Sequence, residues 1–148
     1  MKFQRAIRLL VVEDSPAYLY LIKRAFRDRA EDIRWDLVVA TDGEEAVRLL
    51  FNEEKDRSAL PDIILLDWNL PTIGGDEVLR RVKQHEKLRK IPVLIFSSSD
   101  ADEDIHSAYS RHANGYITKP GDNDALANIV EGIEKFWTAV VQLPKVAR

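Results

Sequence analysis

The sequence predicts an α/β fold: a doubly wound, open, five-stranded parallel sheet with helices on both faces. Short apolar runs rich in β-branched residues alternate with longer stretches in which apolar residues recur at helical spacing. The short runs are continuous rather than alternating, which is typical of strands buried on both faces of a parallel sheet. Five strands are too few for a closed eight-stranded barrel, so an open sheet is expected.

The five strands are predicted from apolar runs that end at polar or turn-forming residues. The most apolar run follows Pro61, and the next run begins at a proline. In chain order the predicted strands are Arg8–Glu13, Trp35–Ala40, Ile63–Leu66, Pro92–Phe96 and Gly115–Thr118.

The helices between the strands are predicted from apolar residues spaced three and four apart. Ser15 supplies an N-cap and Pro16 a first-turn proline for the first helix, which runs from Ala17 to about Arg29. The third helix ends near His85, and the fourth is only weakly amphipathic. The last helix has a regular apolar stripe of Leu126, Ile129, Val130, Ile133, Phe136, Trp137 and Val140.

Length and composition indicate one domain without a separate output module. The 148 residues contain 22 Lys and Arg against 25 Asp and Glu, a balance that argues against a nucleic-acid or membrane partner. Cysteine is absent from the sequence, which excludes disulfides and thiolate metal sites. No apolar run approaches the ~20 residues of a membrane span, and the N-terminus does not resemble a signal peptide, so we expect a cytoplasmic protein.

Chemically useful side chains stand where four of the predicted strands end. The first strand ends at Glu13-Asp14, the third is followed by Asp67, the fourth by Ser97, and the fifth leads into Lys119. Ligands of doubly wound sheets bind at the carboxyl ends of the strands, where the strand order reverses. We therefore expect three carboxylates, a hydroxyl and an ammonium to meet at one edge of the sheet.

The charges of this cluster predict a divalent cation. Two carboxylates ~4 Å apart repel each other by about 4 kcal/mol at an effective dielectric near 20, and Lys119 neutralises only one charge. Mg²⁺ prefers oxygen ligands and typically takes one or two carboxylates together with phosphate oxygens. An aspartate beside it is a candidate nucleophile toward phosphorus, because carboxylates form acyl phosphates. The lysine ammonium and Ser97 hydroxyl would then hold the phosphoryl oxygens.

The motifs at these strand ends resemble the receiver domain of two-component response regulators. The resemblance runs from about Arg8 to Val140 and implies the flavodoxin-like strand order 2-1-3-4-5. It also implies a receiver domain over residues 8–141, with an N-terminal extension over 1–7 and a C-terminal tail over 142–148. The matching motifs are Glu13-Asp14, Asp67-Trp-Asn-Leu-Pro71 with Gly74-Gly75, Ser97 and Thr118-Lys119-Pro120.

The resemblance implies that Asp67 accepts a phosphoryl group from a phosphohistidine of a sensor histidine kinase. Asp14 would bind Mg²⁺ directly and Glu13 through water, with Asp67 and the backbone carbonyl of Asn69 as further ligands. Two positions depart from the family pattern: position 13 is Glu where Asp is commoner, and Gly74 stands where Asp is frequent. Neither departure removes a group that the chemistry requires.

Further roles follow from the same resemblance. Ser97 takes the place of the switch hydroxyl, although Ser98 and Ser99 compete for it; Tyr116 takes the place of the switch aromatic. Lys119 would be the phosphate-binding lysine, joined to Pro120 by a cis peptide bond. Trp68, next to the phosphoacceptor, would face solvent or lie over the site, as a fluorescence reporter or a gate.

Expected partners come from finer likenesses. The residues around Glu13–Pro16 and Phe96–Ser99 look like those of small regulators paired with bacterial phytochromes. Phe136 and Trp137 are adjacent and cannot both point into the core. One of them is therefore expected to cover a partner, in a homodimer formed through the fourth and fifth βα units.

Three functions are open at this point. The leading one is a phosphorylated switch whose output is a protein-interaction surface, and which assists its own phosphorylation and dephosphorylation without being an enzyme. The second is a receiver fold used as a constitutive docking module. The third is a Mg²⁺-dependent aspartyl phosphatase, but such enzymes generally resemble Asp-x-Asp, and Asn69 cannot transfer a proton as the second Asp does.

Overall fold

A single sheet of five parallel strands forms the centre of the described structure. The computed structural model describes residues 5–28, 33–52 and 60–144. The strands are β1 (Arg5–Val12), β2 (Ile33–Ala40), β3 (Ile63–Leu66), β4 (Val93–Ser97) and β5 (Gly115–Thr118). Their order is β2-β1-β3-β4-β5, which confirms the predicted fold class and strand order. β1 begins three residues before its predicted start, inside the predicted N-terminal extension.

Helices cover both faces of this sheet. They are α1 (Pro16–Arg27), α2 (Gly43–Phe51), α3 (Gly75–Gln84), α4 (Asp102–Ser110) and α5 (Asn123–Lys135). A 3₁₀ helix (Leu88–Lys90) precedes β4, and a π-helical turn (Phe136–Val140) continues α5. The predicted start of α1 is confirmed, because Ser15 caps it and Pro16 is in its first turn. Among the described helices, none is long and apolar enough to cross a membrane.

Two apolar cores lie on opposite faces of the sheet, and consecutive residues of a strand alternate between them. In β3, Ile63 and Leu65 belong to the core beneath α1 and α5, whereas Ile64 and Leu66 belong to the core beneath α2, α3 and α4. Each fully buried aliphatic side chain contributes roughly 1.5–3 kcal/mol relative to exposure. This two-sided burial explains why the strands are continuous apolar runs.

The stripe predicted along the last helix divides after Lys135. Trp137 packs against the core beneath α1 and α5, whereas Phe136 is 47% exposed and Val140 is 70% exposed. The prediction that only one of the two adjacent aromatics packs in the core is confirmed. Leu143 packs against the same core, and residues 145–148 of the predicted tail lie outside the described residues.

Two glycines let α2 and α3 approach the loop between β3 and α3. A Cβ at Gly75 would lie 2.1 Å from the carbonyl oxygen of Asp67, and one at Gly43 would lie 1.8 Å from that of Ile73. The N–H of Gly43 also donates to the carbonyl of Pro71, 3.3 Å away. Because any larger residue would push these backbones apart, the glycines hold the loop that carries Asp67 between two helix N-termini.

Candidate functional site

Strand pairing brings three acidic residues to the carboxyl edge of the sheet. Val12 lies opposite Leu66 in the β1–β3 register, so Glu13-Asp14 and Asp67 leave their strands side by side. The N–H of Asp67 donates to the carbonyl of Val12, 3.0 Å away. One oxygen from each of the three carboxylates lies within 4.8 Å of the other two. The structure therefore brings together the acidic residues that the sequence placed at one edge.

The three carboxylates differ in exposure to water. Glu13 and Asp67 are buried, whereas Asp14 is exposed. Burial raises the pKa of Glu13, although the hydrogen bond from Lys119 and the N–H of Ser15, 3.0 Å from Oε2, act in the opposite direction. The site is thus open to solvent on the side of Asp14 and closed around Glu13 and Asp67.

Lys119 joins two of these carboxylates. Its Nζ lies 2.5 Å from Oε1 of Glu13 and 3.0 Å from Oδ2 of Asp67. Burial opposes the charged form of the lysine, but the hydrogen bonds to the two carboxylates outweigh it, so the pKa of Lys119 lies above its ordinary value. The ammonium therefore remains charged beside Asp67.

Ser97 is fully buried at the end of β4, opposite Thr118 of β5, the strand that leads into Lys119. Its backbone carbonyl accepts from the N–H of Lys119, 2.8 Å away. Its hydroxyl oxygen accepts from the N–H of Ser99, 3.2 Å away. The Ser99 hydroxyl donates to Asp104 at 2.5 Å, and the side chain of Ser98 is exposed. Of the three serines, Ser97 is the one that is buried, and its assignment to the switch position stays a prediction.

Tyr116 connects β5 to the loop between β4 and α4. Its ring is half-buried and packs against the core beneath α2, α3 and α4. Its hydroxyl donates to the backbone carbonyl of Ser99, 2.8 Å away. Ser99 is thus in contact with Ser97 through its N–H and with Tyr116 through its carbonyl.

The two residues after Asp67 point in different directions. Asn69 is exposed, and its N–H donates to Oδ1 of Asp67 at 3.3 Å. Trp68 is 8% exposed and belongs to the core beneath α2, α3 and α4. Of the two orientations expected for Trp68, the one that faces solvent is wrong, because the apolar indole is more stable in that core than in water; its role as a fluorescence reporter or a gate over the site stays a prediction.

The predicted cis bond before Pro120 is wrong. No cis peptide bond occurs among the described residues, so Lys119 and Pro120 are joined in trans. The trans form of such a bond is favoured by roughly 0.5–1 kcal/mol. The N–H of Lys119 pairs with Ser97 on this backbone, and the Pro120 carbonyl accepts from the Tyr18 hydroxyl at 3.4 Å.

Tyr18 is a site residue that the sequence reasoning missed. Tyr18, Leu19, Ile22 and Phe26 recur at helical spacing, which predicts only an apolar, core-facing position for Tyr18. In the structure its ring lies over Lys119, with Nζ 4.8 Å from the ring centroid. Its closeness in sequence to the acidic pair could have revealed it, because Tyr18 is in the first turn of the helix that begins just after Glu13-Asp14. That turn must lie at the same edge of the sheet as the acidic pair.

The donor set fits a hard divalent cation. Glu13, Asp14 and Asp67 offer carboxylate oxygens close together, while the role of the Asn69 backbone carbonyl as a further ligand stays a prediction. Oxygen-only sets of this kind suit Mg²⁺ and Mn²⁺ rather than Zn²⁺ or copper, which favour nitrogen and sulfur ligands.

Residues 9–131 match the response regulator receiver domain family. The chain belongs to this family. Response regulator Rcp1 of Synechocystis sp. is 37% identical to this receiver domain over 137 residues, covering 92% of each chain. The match therefore spans nearly all of both proteins.

Solved structures show the same likeness. The phosphorylated cyanobacterial phytochrome response regulator RcpA has a TM-score of 0.87 and 38% identity, covering 95% of this chain and 99% of its own. The Mn²⁺-bound form of Rcp1 has a TM-score of 0.83 and 35% identity, covering 94% and 99%. This receiver domain is a phosphoacceptor signalling switch of a two-component system.

Proposed function

We propose that Asp67 is the phosphoacceptor of this receiver domain and that a sensor histidine kinase is the donor. The observation that carries the proposal is the position of the Lys119 ammonium, 3.0 Å from the Asp67 carboxylate at the carboxyl edge of the sheet. A cation held there neutralises charge that arrives with a phosphoryl group. A cytoplasmic location, where such a kinase presents its phosphohistidine, is part of the proposal.

In the transfer step, a carboxylate oxygen of Asp67 attacks the phosphorus of phosphohistidine. The new O–P bond forms as the N–P bond breaks, and the imidazole leaves with the electron pair and takes a proton from solvent. Lys119 and the hydroxyl of Ser97 contact the phosphoryl oxygens during transfer. Hydrolysis of the resulting acyl phosphate by water resets the switch, and we propose that the same residues assist this step.

Mg²⁺ is the cofactor of this reaction. We infer that Glu13, Asp14 and Asp67 hold it, since one oxygen of each carboxylate lies within 4.8 Å of the others, and that the backbone carbonyl of Asn69 is a further ligand, as the likeness to the family implies. When bound, Mg²⁺ supplies positive charge that neutralises the phosphoryl oxygens. Buried Glu13 and Asp67 already share Lys119, so the exposed Asp14 is the carboxylate most available to the ion.

Phosphorylation changes the surface around α4 and β5 through Ser99. The phosphoryl group adds charge and acceptor oxygens that attract the Ser97 hydroxyl. A move of Ser97 toward Asp67 gives up its hydrogen bond with the Ser99 N–H. Without that bond, Ser99 and the loop before α4 shift. Because the Ser99 carbonyl accepts the hydrogen bond of the Tyr116 hydroxyl, this shift frees Tyr116 to repack.

We further propose a phytochrome-type kinase as donor and a homodimer as the assembled form. The similarity to RcpA, a phytochrome response regulator, supports the choice of kinase. Exposed apolar side chains support the dimer: Tyr109 on α4 is 51% exposed, and Phe136 and Val140 extend from the end of α5. Exposed aromatic residues of this kind are enriched in protein interfaces.

Acetyl phosphate with Mg²⁺, followed by intact-mass measurement and peptide mapping, tests the phosphoacceptor. We expect one added phosphoryl group on the wild-type chain and none on Asp67→Asn. The matched control is Asp76→Asn, an exposed aspartate nearby in the same segment, which should react like the wild type. Absence of an adduct would favour the docking module, and continued turnover of unrelated phosphate esters would favour the aspartyl phosphatase.

A further inference from the structure

The ring of Tyr18 covers the Lys119 ammonium on the α1 side of the site. Nζ lies 4.8 Å from the ring centroid, within the ~6 Å range of a cation–π contact. Tyr18 is the third residue of α1, and its N–H donates to the capping hydroxyl of Ser15 at 3.2 Å. The helix cap therefore fixes the turn that carries the ring.

Two further contacts hold the Tyr18 ring in place. It packs against Phe96 of β4 at a centroid distance of 5.7 Å and an interplanar angle of 58°. Its hydroxyl donates to the carbonyl of Pro120, 3.4 Å away, in the loop after β5. Contacts from α1, β4 and this loop thus orient the face of the ring toward Lys119.

We propose that Tyr18 is a positioning residue whose ring holds the Lys119 ammonium at Asp67. The inference deepens the proposed function of this site and rests on it. A lysine ammonium has three N–H donors, and two of its partners here are the carboxylates of Glu13 and Asp67. Those carboxylates are also the proposed metal ligands, so their oxygens are shared.

The Tyr18 ring does not compete for these oxygens. Among the contacts of Nζ with described residues, the ring is the one that uses no carboxylate. The negative face of the neutral Tyr18 ring attracts the Lys119 ammonium. Lys119 therefore keeps its place beside Asp67 when the carboxylates are engaged elsewhere.

A purely packing role for Tyr18 predicts a different response to mutation. An aliphatic side chain fills part of the same volume but does not attract a cation, whereas phenylalanine keeps the π face and loses only the hydroxyl. Tyr18→Leu therefore tests the attraction by the ring against packing alone. Tyr18→Phe tests the 3.4 Å hydrogen bond from the Tyr18 hydroxyl to the Pro120 carbonyl. Tyr20→Leu is the matched control, because Tyr20 is on the same helix and exposed.

The first measurement is the rate of phosphorylation by acetyl phosphate with Mg²⁺. We expect Tyr18→Leu to lower the rate about three- to tenfold, the range that a partly buried cation–π contact supplies. Tyr18→Phe should stay within about twofold of the wild type, and Tyr20→Leu should match it. A Tyr18→Leu rate equal to the wild type would overturn the proposal, as would a Tyr18→Phe rate as low as that of Tyr18→Leu.

The second measurement needs no phosphodonor. The ring current of an aromatic face shifts nearby methylene protons upfield, so the Hε resonance of Lys119 reports the contact directly by NMR. We expect the upfield shift in the wild type and Tyr18→Phe and its loss in Tyr18→Leu. An Hε resonance that is unchanged in Tyr18→Leu overturns the proposal. If Tyr18→Leu does not fold, Tyr18→Met is the second non-aromatic variant and is read in the same way.

The two measurements also separate this inference from the proposed function. A wild-type chain that is never phosphorylated would overturn the role of Asp67, while the Hε shift would still decide whether Tyr18 positions Lys119. In a Lys119→Ala background, adding Tyr18→Leu should lower the phosphorylation rate no further, because the two residues act as one unit. A further decrease in that background would show that Tyr18 acts independently of Lys119 and would overturn the proposal.

Discussion

The side-chain ammonium of Lys83 donates to Oδ1 of Asn114, 2.9 Å away, at the amino ends of β4 and β5. It also donates to the backbone carbonyls of Arg89 and Ile91, and Oδ1 of Asn114 accepts from the N–H of Val93. One ammonium thus connects α3, the 3₁₀ helix and the starts of two strands. Its three acceptors are uncharged, and burial lowers the pKa of Lys83 to about 8.

The lowered pKa of Lys83 predicts a pH dependence of stability. Between pH 8 and the ordinary lysine pKa of 10.5, the unfolded chain binds more protons than the folded chain, so the contribution of Lys83 to the free energy of unfolding rises with pH. Urea unfolding across this window should show that the free energy of unfolding of the wild type rises with pH relative to that of Lys83→Met. Lys87→Met, at an exposed lysine, is the control and should show the same rise as the wild type. A wild-type minus Lys83→Met difference that is constant with pH would contradict the prediction.

Gly75→Ala should destabilise the loop that carries Asp67. The new Cβ would lie 2.1 Å from the carbonyl oxygen of Asp67 and 2.8 Å from the Cα of Trp68, so the backbone must move. We expect the free energy of unfolding, measured with urea, to fall by about 1–3 kcal/mol. Gly132→Ala in α5 is the control, since nothing lies within 4 Å of a Cβ added there. Its free energy of unfolding should rise by roughly 0.5–1 kcal/mol, because alanine favours the helix over glycine. Equal effects of the two substitutions would refute the steric account.

Thr72 tests how the same loop tolerates strain. It has φ 68°, which is unfavourable for a β-branched residue, while its hydroxyl accepts from the N–H of Glu44 at 3.1 Å. Thr72→Val keeps the strain and loses the acceptor, whereas Thr72→Asn keeps a side-chain oxygen and tolerates this backbone. We expect Thr72→Asn to be more stable than Thr72→Val by about 1–2 kcal/mol in urea unfolding; the opposite order would count against this account.

Mg²⁺ should stabilise the folded receiver domain. At about ten times its dissociation constant, the ion raises the free energy of unfolding by roughly 1.4 kcal/mol if only the folded state binds it. Thermal unfolding in EDTA and in excess Mg²⁺ measures the difference. Asp14→Asn should remove most of it, whereas Asp100→Asn, at another exposed aspartate, should not. Identical melting temperatures of the wild type in the two buffers would argue against the metal site.

Phe136→Ser should weaken the proposed homodimer. Phe136 is 47% exposed, so a serine there should change the stability of the folded monomer little. It would, however, remove apolar area from the proposed dimer interface. Sedimentation velocity over a range of concentrations, with and without acetyl phosphate, measures the assembly. Tyr20→Ser, at an exposed aromatic on α1, is the control. A dimer that Phe136→Ser leaves unchanged would exclude this end of α5 from the interface.

The sequence alone determined the sheet and the edge at which chemistry occurs. A run such as Ile63–Leu66 is apolar at consecutive positions because both sheet faces are buried, and that pattern is visible without a structure. The polar residues that end such runs must emerge at the carboxyl edge, since all strands of a parallel sheet point the same way. Glu13, Asp67 and Lys119 could therefore be placed together in advance.

Only the tertiary structure decided which groups touch. Helical spacing marks Tyr18 as apolar-facing but does not reveal that the ring lies over Lys119, because that contact joins residues 101 positions apart along the chain. The burial of Trp68 likewise depends on neighbours from distant segments. Local pattern specifies where a side chain leaves the backbone, whereas its partners are set by packing between elements that are remote in sequence.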